Sequence, residues 1–260
     1  MRTGCETTRF PHMRGLLLAT TENSRTRKRF CGVQWDDNLK YAIDTYILII
    51  KETNMEAKLR RADIVILASA HNPSIMAPQW LKDKSLIVEE PTQFVHTPDF
   101  SLFESESFLL VVDNQRMQIT VKKQDNRSVE SLANIASNYL KLLPHIPYKA
   151  LGLNFVWSIE VDDGKELPKI ELNINKSDLM SVFEGREIEC GGIIYARKEP
   201  YMLKVVIELR GEDVIVHNFN YNYELEGMSV EDIVKLVNNF LTMKEDSSSI
   251  VKGLYSIGEK

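Results

Sequence analysis

Two thirteen-residue stretches of this chain spell nearly the same helix, and their repetition constrains the fold more than any other feature. Ser128 to Leu140 (SVESLANIASNYL) and Ser229 to Leu241 (SVEDIVKLVNNFL) lie 101 positions apart, and five of the thirteen aligned pairs are identical. Most of the remaining pairs keep their apolar or polar character. Val129, Leu132, Ile135, Ala136, Tyr139 and Leu140 form one stripe at helical spacing, and Val230, Ile233, Val234, Val237, Phe240 and Leu241 form the other, so each segment has a face that must cover something. Ser128 and Ser229 stand where an N-cap would satisfy an orphan backbone N–H, and Glu130 and Glu231 complement the helix dipole from the first turn. A β-hairpin is predicted before each helix. The expectation is an α+β fold of two similar halves, arisen by internal duplication, with antiparallel sheets and long helices on one face.

The order of elements extends the match. In the first half, Ala62 to Ala70 reads as a continuous apolar strand, and Asn72 caps a short helix that starts at Pro73 and runs to about Lys82. Strands are predicted at Leu86 to Glu90, Phe100 to Glu104, Phe108 to Val112 and Met117 to Lys122, with a loop at Pro91 to Pro98, before the helix from Ser128. In the second half, Leu151 to Val161 is a strand that turns at Asp162-Asp163-Gly164 into a return at Ile170 to Ile174. A short helix from Ser177 and strands at Glu187 to Ala196, Leu203 to Leu209 and Val214 to Leu225 lead to the helix from Ser229. Ser247-Ser248-Ser249 is expected to cap a last helix with Ile250, Val251, Leu254 and Tyr255 on one face. The domain reading is a poorly packed or accessory extension at 1–54, or an addition to a chain whose own start is Met55. An α+β half at 55–146 and a second at 147–260 then form one compact unit.

Composition narrows the function classes. With 43% apolar residues among 260 the chain can bury a sizeable core. Residues 1–54 hold nine Lys or Arg against six Asp or Glu, while the remainder holds 23 against 31, so the repeat region is the acidic part of a chain with net charge −5. Nucleic acid and anionic membrane both reward a dense basic surface, so neither is an expected partner. Cys5, Cys31 and Cys190 make an odd number without metal-ligand spacing, which fits a reducing compartment and a cytoplasmic protein. No apolar run is long enough to span a bilayer. No phosphate loop, nucleophile-elbow serine, zinc-helix pattern or dinucleotide fingerprint occurs, so no cofactor or metal is expected.

Strand alternation points to a surface instead. Leu151, Leu153, Phe155, Trp157 and Ile159 face one way along the strand and Gly152, Asn154, Val156 and Ser158 the other; Asn218, Asn220 and Asn222 alternate in the same manner with Phe219, Tyr221 and Tyr223. Asn173 and Asn175 share a face in the predicted return strand. Asparagine is depleted in strands, so six of them on neighbouring sheet faces suggest a ligand-binding groove lined by amides, which both donate and accept hydrogen bonds; a solvated sheet face is the plainer reading. The catalytic candidates are His71, at the end of an apolar strand, and His96, in a Pro-rich loop near Asp99. Helix-start and turn chemistry account for both segments without catalysis.

The leading expectation is therefore a non-catalytic binding or scaffold protein that uses a polar sheet face and associates with itself or with a protein partner. One rival is a nucleic-acid binder. A duplicated unit of strand, short helix, antiparallel strands and long helix resembles the layout of the TATA-box-binding proteins in element order, a likeness of topology and not of sequence, and the acidic balance opposes that function. The other rival is a hydrolase or transferase in which His71 or His96 works with a carboxylate.

Overall fold

Apolar residues at every second position from Ala62 to Ala68 give the core side of β1 (Glu56–Ala68), the first strand of the computed structural model, which describes residues 55–160, 191–210, 214–255 and 257. A 3₁₀ turn over Pro73–Ile75 and helix α1 (Pro78–Asp83) follow, then strands β2 (Gln93–His96), β3 (Phe100–Glu104), β4 (Phe108–Asp113) and β5 (Arg116–Val121) and helix α2 (Asn126–Leu142). Strand β6 (Tyr148–Glu160) opens the second half, and β7 (Gly192–Lys198), β8 (Tyr201–Arg210), β9 (Val214–Glu224), α3 (Val230–Asn238) and α4 (Phe240–Leu254) complete it.

Among the described residues the nine strands form one antiparallel sheet in the order β2-β3-β4-β5-β1-β6-β9-β8-β7. The order reads outward alike from its middle. On one side β5, β4, β3 and β2 step away from β1, and on the other β9, β8 and β7 step away from β6. Tight reversals such as Asp113 to Arg116, where Asp113 Oδ1 accepts from the backbone N–H groups of Gln115 and Arg116, make these meanders. β1 and β6 are thirteen residues each and pair along nearly their whole length.

The core draws one alternate set from every long strand. Ala62, Ile64 and Ile66 of β1, Met117 and Ile119 of β5, Leu151, Leu153, Phe155 and Ile159 of β6 and Phe219 and Tyr221 of β9 are all but excluded from solvent. Phe240 of α4 packs on Phe155 with ring centroids 4.8 Å apart and the rings tilted by 34°. Trp157 donates through Nε1 to Ser247 of α4 at 2.9 Å, and the Tyr221 hydroxyl donates to Asp246 at 2.8 Å, so the second half pins its terminal helix with polar contacts as well as apolar ones. In the first half Tyr139 of α2 reaches His71 beyond the end of β1.

Several local expectations are corrected. Asp125, not Ser128, caps α2: its Oδ1 accepts from the Ser128 N–H at 2.9 Å, and the helix begins two residues before Ser128. Ser229 does cap α3, accepting from the Asp232 N–H. The two serines therefore do different jobs despite their alignment. The second repeated helix also breaks at Asn239, and α4 runs on through Ser247-Ser248-Ser249, so these serines lie inside a helix and Ser247 is buried. Leu86 to Glu90 is not a strand; Leu86 and Ile87 plug the core from a loop whose N–H groups bond back to Leu81 of α1. The short helix expected from Pro73 is split, because Pro78 cannot donate the N–H that would join the 3₁₀ turn to α1. The loop at Pro91 to Pro98 contains β2. Asp162-Asp163-Gly164, the return at Ile170 to Ile174, the helix from Ser177, Asn173, Asn175, Cys190 and residues 1–54 lie outside the described residues.

Candidate functional site

A β-bulge shapes the alternate face of the sheet. Leu59 pairs with Trp157 and Arg61 with Val156, so Arg60 is the extra residue of β1. Leu59 still packs on the core, whereas Arg60 and Arg61 both reach groups on the alternate face: Arg60 Nε donates to Ser158 Oγ at 2.6 Å and its guanidinium pairs with Glu160, and Arg61 Nε stands 2.9 Å from Asp63 Oδ2.

Beyond the bulge one transverse row crosses the whole sheet. Gln93, Glu104, Leu109, Thr120, Asp63, Asn154, Asn220, Lys204 and Tyr195 are successive register partners from β2 to β7. All but Leu109 carry a polar group. The adjacent row through Leu102, Val111, Gln118, Val65, Gly152, Asn222 and Met202 is largely apolar, so the polar row is bordered by surface that can be desolvated.

At the middle of the polar row the side chains bond to one another. Asp63 Oδ1 accepts from Asn154 Nδ2 at 2.8 Å and from Gln118 Nε2 at 3.3 Å, and Asn154 Oδ1 accepts from Asn220 Nδ2 at 2.6 Å. The direction of this relay follows from chemistry. An ionised carboxylate can only accept, so Asn154 must turn its NH₂ toward Asp63 and its oxygen toward Asn220, which must donate. Gly152 keeps the space open: a Cβ there would lie 3.1 Å from Asn220 Nδ2. Asp63 is 1% exposed, and its Oδ2 is partnered by the Arg61 guanidinium at ion-pair distance without an aligned hydrogen bond. Burial raises the Asp63 pKa above the ordinary carboxylate value, while the Asn154 hydrogen bond and the Arg61 charge pull the other way.

The amide candidates thus divide. Asn154 and Asn220 are joined in one network, and Asn218 and Asn222 flank Asn220 on β9, each partly accessible on the same alternation. The sequence reading missed Asp63, Gln118, Thr120 and Lys204. A lone carboxylate inside the apolar run Ala62 to Ala70 was the available signal.

His71 and His217 are buried beside tyrosines, whereas His96 is exposed. His71 is buried; its Nε2 lies 3.1 Å from the Ile66 carbonyl oxygen, which can only accept, so Nε2 carries the proton and Nδ1 accepts from the Tyr139 hydroxyl at 2.8 Å. Burial lowers its pKa. His96 is exposed on β2 and stacks on Phe94 with ring centroids 5.6 Å apart, while Asp99 accepts from Asn114. His217, sharing the core alternation of β9, bonds through Nε2 to the Tyr255 hydroxyl at 2.8 Å, leaves Nδ1 unpartnered, and is pushed by burial down to a pKa of about 4. Among the described residues no histidine hydrogen-bonds a carboxylate. No helix among them is long and apolar enough to cross a membrane. Comparison with protein-family models and with curated proteins finds no match to this chain.

Proposed function

We propose that this chain is a non-catalytic binding protein, built from two duplicated halves whose long helices cover one face of the sheet and leave the amide-bearing face for a polar ligand or protein partner. The transverse polar row carries the reading. A solvated sheet face needs no bonded relay at its centre, and a buried carboxylate there is costly unless something uses it. The apolar row beside it supplies the contact area that a hydrogen-bonding ligand requires.

Two observations support the duplication. The order β5, β4, β3 outward from β1 matches β9, β8, β7 outward from β6, with β2 added at one edge. Ser137 of α2 and Asn238 of α3, which are 101 positions apart and so equivalent in the repeated helices, hydrogen-bond to each other at 3.2 Å. Residues that touch their own counterparts lie where a two-fold axis passes.

Charge placement opposes the nucleic-acid alternative. Lys58 and Arg60 are held by Glu160, Arg61 by Asp63 and Lys122 by Glu104, so phosphates would have to displace carboxylates already in place. The test is a peptide array probed with the full chain. Peptides bound by the wild type should remain bound by Glu245→Ala, on α4, and be lost at least tenfold by Asn220→Ala/Asn222→Ala. Binding that survives the face substitutions, or an array with no bound peptide, contradicts the reading.

A further inference from the structure

The buried Oδ2 of Asp63 has an ion-pair partner, Arg61 Nε at 2.9 Å, but no aligned hydrogen bond, and a buried carboxylate oxygen whose hydrogen bonding is incomplete is among the costlier features a fold can keep. The neighbouring amides direct donors elsewhere: Asn154 and Gln118 each give an N–H to Oδ1, and Asn220 gives one to Asn154. The oxygens of the same network, Gln118 Oε1 and Asn220 Oδ1, are acceptors. An incoming acceptor or anion would therefore meet a carboxylate and more acceptors, whereas an incoming cationic donor would meet a site arranged for it.

Arg61 occupies that place incompletely. Its guanidinium is at ion-pair distance from Oδ2 but not aligned to donate, its side chain is 54% exposed, and it enters from beside the Arg60 bulge on the same strand. Its departure alone would leave the Asp63 carboxylate buried without a countercharge, so an incoming cation must take over that charge as Arg61 leaves, while the Arg side chain regains rotamer freedom. A planar fork approaching from above the sheet would be free of that tether. It could donate to Oδ2 and, with its second edge, to Gln118 or Asn220, the bidentate geometry in which guanidinium exceeds ammonium. The net charge of −5 favours encounter with a cation.

We propose that Asp63, with Gln118 and Asn220, forms a receptor for a guanidinium group, and that Arg61 is the internal stand-in this group displaces. The proposal rests on the reading of this face as the binding surface and names what it binds. The experiment is an NMR titration of the ¹⁵N-labelled full chain with methylguanidinium chloride, methylammonium chloride and the tripeptide Gly-Arg-Gly. The expected result is saturable movement of the Gln118, Asn154 and Asn220 side-chain amide signals by methylguanidinium, at least fivefold weaker with methylammonium, at least fivefold tighter in Arg61→Ala and absent in Asp63→Asn. A tripeptide that binds more tightly than methylguanidinium assigns the group to a polypeptide, and equal affinity assigns it to a small guanidinium compound. Unsaturated shifts, equal response to methylammonium, or no gain in Arg61→Ala overturns the proposal, and the last readout stands even if Asp63→Asn does not fold. If peptides bind this face on the array while methylguanidinium does not, the ligand class falls and the binding surface remains.

Discussion

The halves at residues 55–146 and 147–257 place thirteen-residue strands side by side at the middle of the sheet, yet they fasten their helices by different chemistry. The first uses a buried neutral pair, His71 with Tyr139, and a helix of seventeen residues capped by Asp125. The second divides its helical segment at Asn239 and holds α4 through Trp157 with Ser247, Tyr221 with Asp246 and His217 with Tyr255. Their alternate faces differ too: Asp63, Thr120 and Leu109 stand on one side of the seam, and Asn154, Asn220 and Lys204 on the other. What the halves share is strand order and the alternation that feeds the core. What they do not share is polar, and it meets at one line between β1 and β6.

The comparison breaks most visibly in the core. Phe155→Ala empties a fully buried position against Phe240 and Tyr221 and is expected to cost about 4 kcal/mol; Ile64→Ala, at a fully buried position on the neighbouring strand β1, is expected to cost about 3 kcal/mol. Urea unfolding checks both. Because one sheet runs through both halves, each variant should shift a single transition, and two separable transitions would show that the halves are independent.

Acid separates the two histidine latches next. His217 is neutral in the fold down to a pKa of about 4, against 6.5 when unfolded, so the unfolded chain binds more protons between those values. Stability is then full above pH 6.5 and falls as pH drops toward 4, by about 3 kcal/mol in all. His71 is shifted in the same direction and adds to the loss. His217→Gln removes one titration, so its urea midpoint should decline less steeply over this range than that of the wild type. Equal slopes would place the His217 ring in water.

Caps sharpen the comparison further. Ser229→Ala and Asp125→Ala should each cost about 1 kcal/mol, since each removes a side-chain acceptor from a helix N-terminus, while Ser128→Ala should cost less than half of that. Equal losses at Ser128 and Ser229 would restore the alignment that the geometry contradicts. At the small end, Gly152→Ala should change stability by no more than about 0.5 kcal/mol, yet move the Asn220 side-chain amide signals, because the added methyl presses on Nδ2.

Much of this arrangement was legible from alternation. The strands at Phe100, Phe108, Met117, Leu151, Leu203 and Val214 follow from period-two patterns, and Asn154 and Asn220 were placed on a common side by the same rule. The missed features share a cause. Ser128 matches Ser229 in sequence, but Asp125 stands three residues earlier and is the better placed acceptor, a competition that alignment does not register. Leu86 and Ile87 are apolar because they plug the core from a loop, so composition alone suggests a strand. Asp63 was absorbed into an apolar run, and only the register with Asn154 and Thr120 reveals it as the centre of a row. Register is a tertiary property. The bulge at Arg60, which sends two consecutive arginines to one face, is equally invisible to a strict two-residue period.

The central claim is that the two halves meet through one bonded unit, Asp63–Asn154–Asn220, and a double-mutant cycle tests it most directly. Asp63 and Asn220 lie two strands apart, about 10 Å, and among the described residues their side chains are linked through Asn154. Urea unfolding of Asp63→Ala, Asn220→Ala and the double variant should give a coupling of about 1 kcal/mol that disappears when the cycle is repeated in Asn154→Ala. Additivity within about 0.3 kcal/mol in the wild-type background, or coupling that persists without Asn154, would mean that the seam is a row of independent polar residues and not a unit.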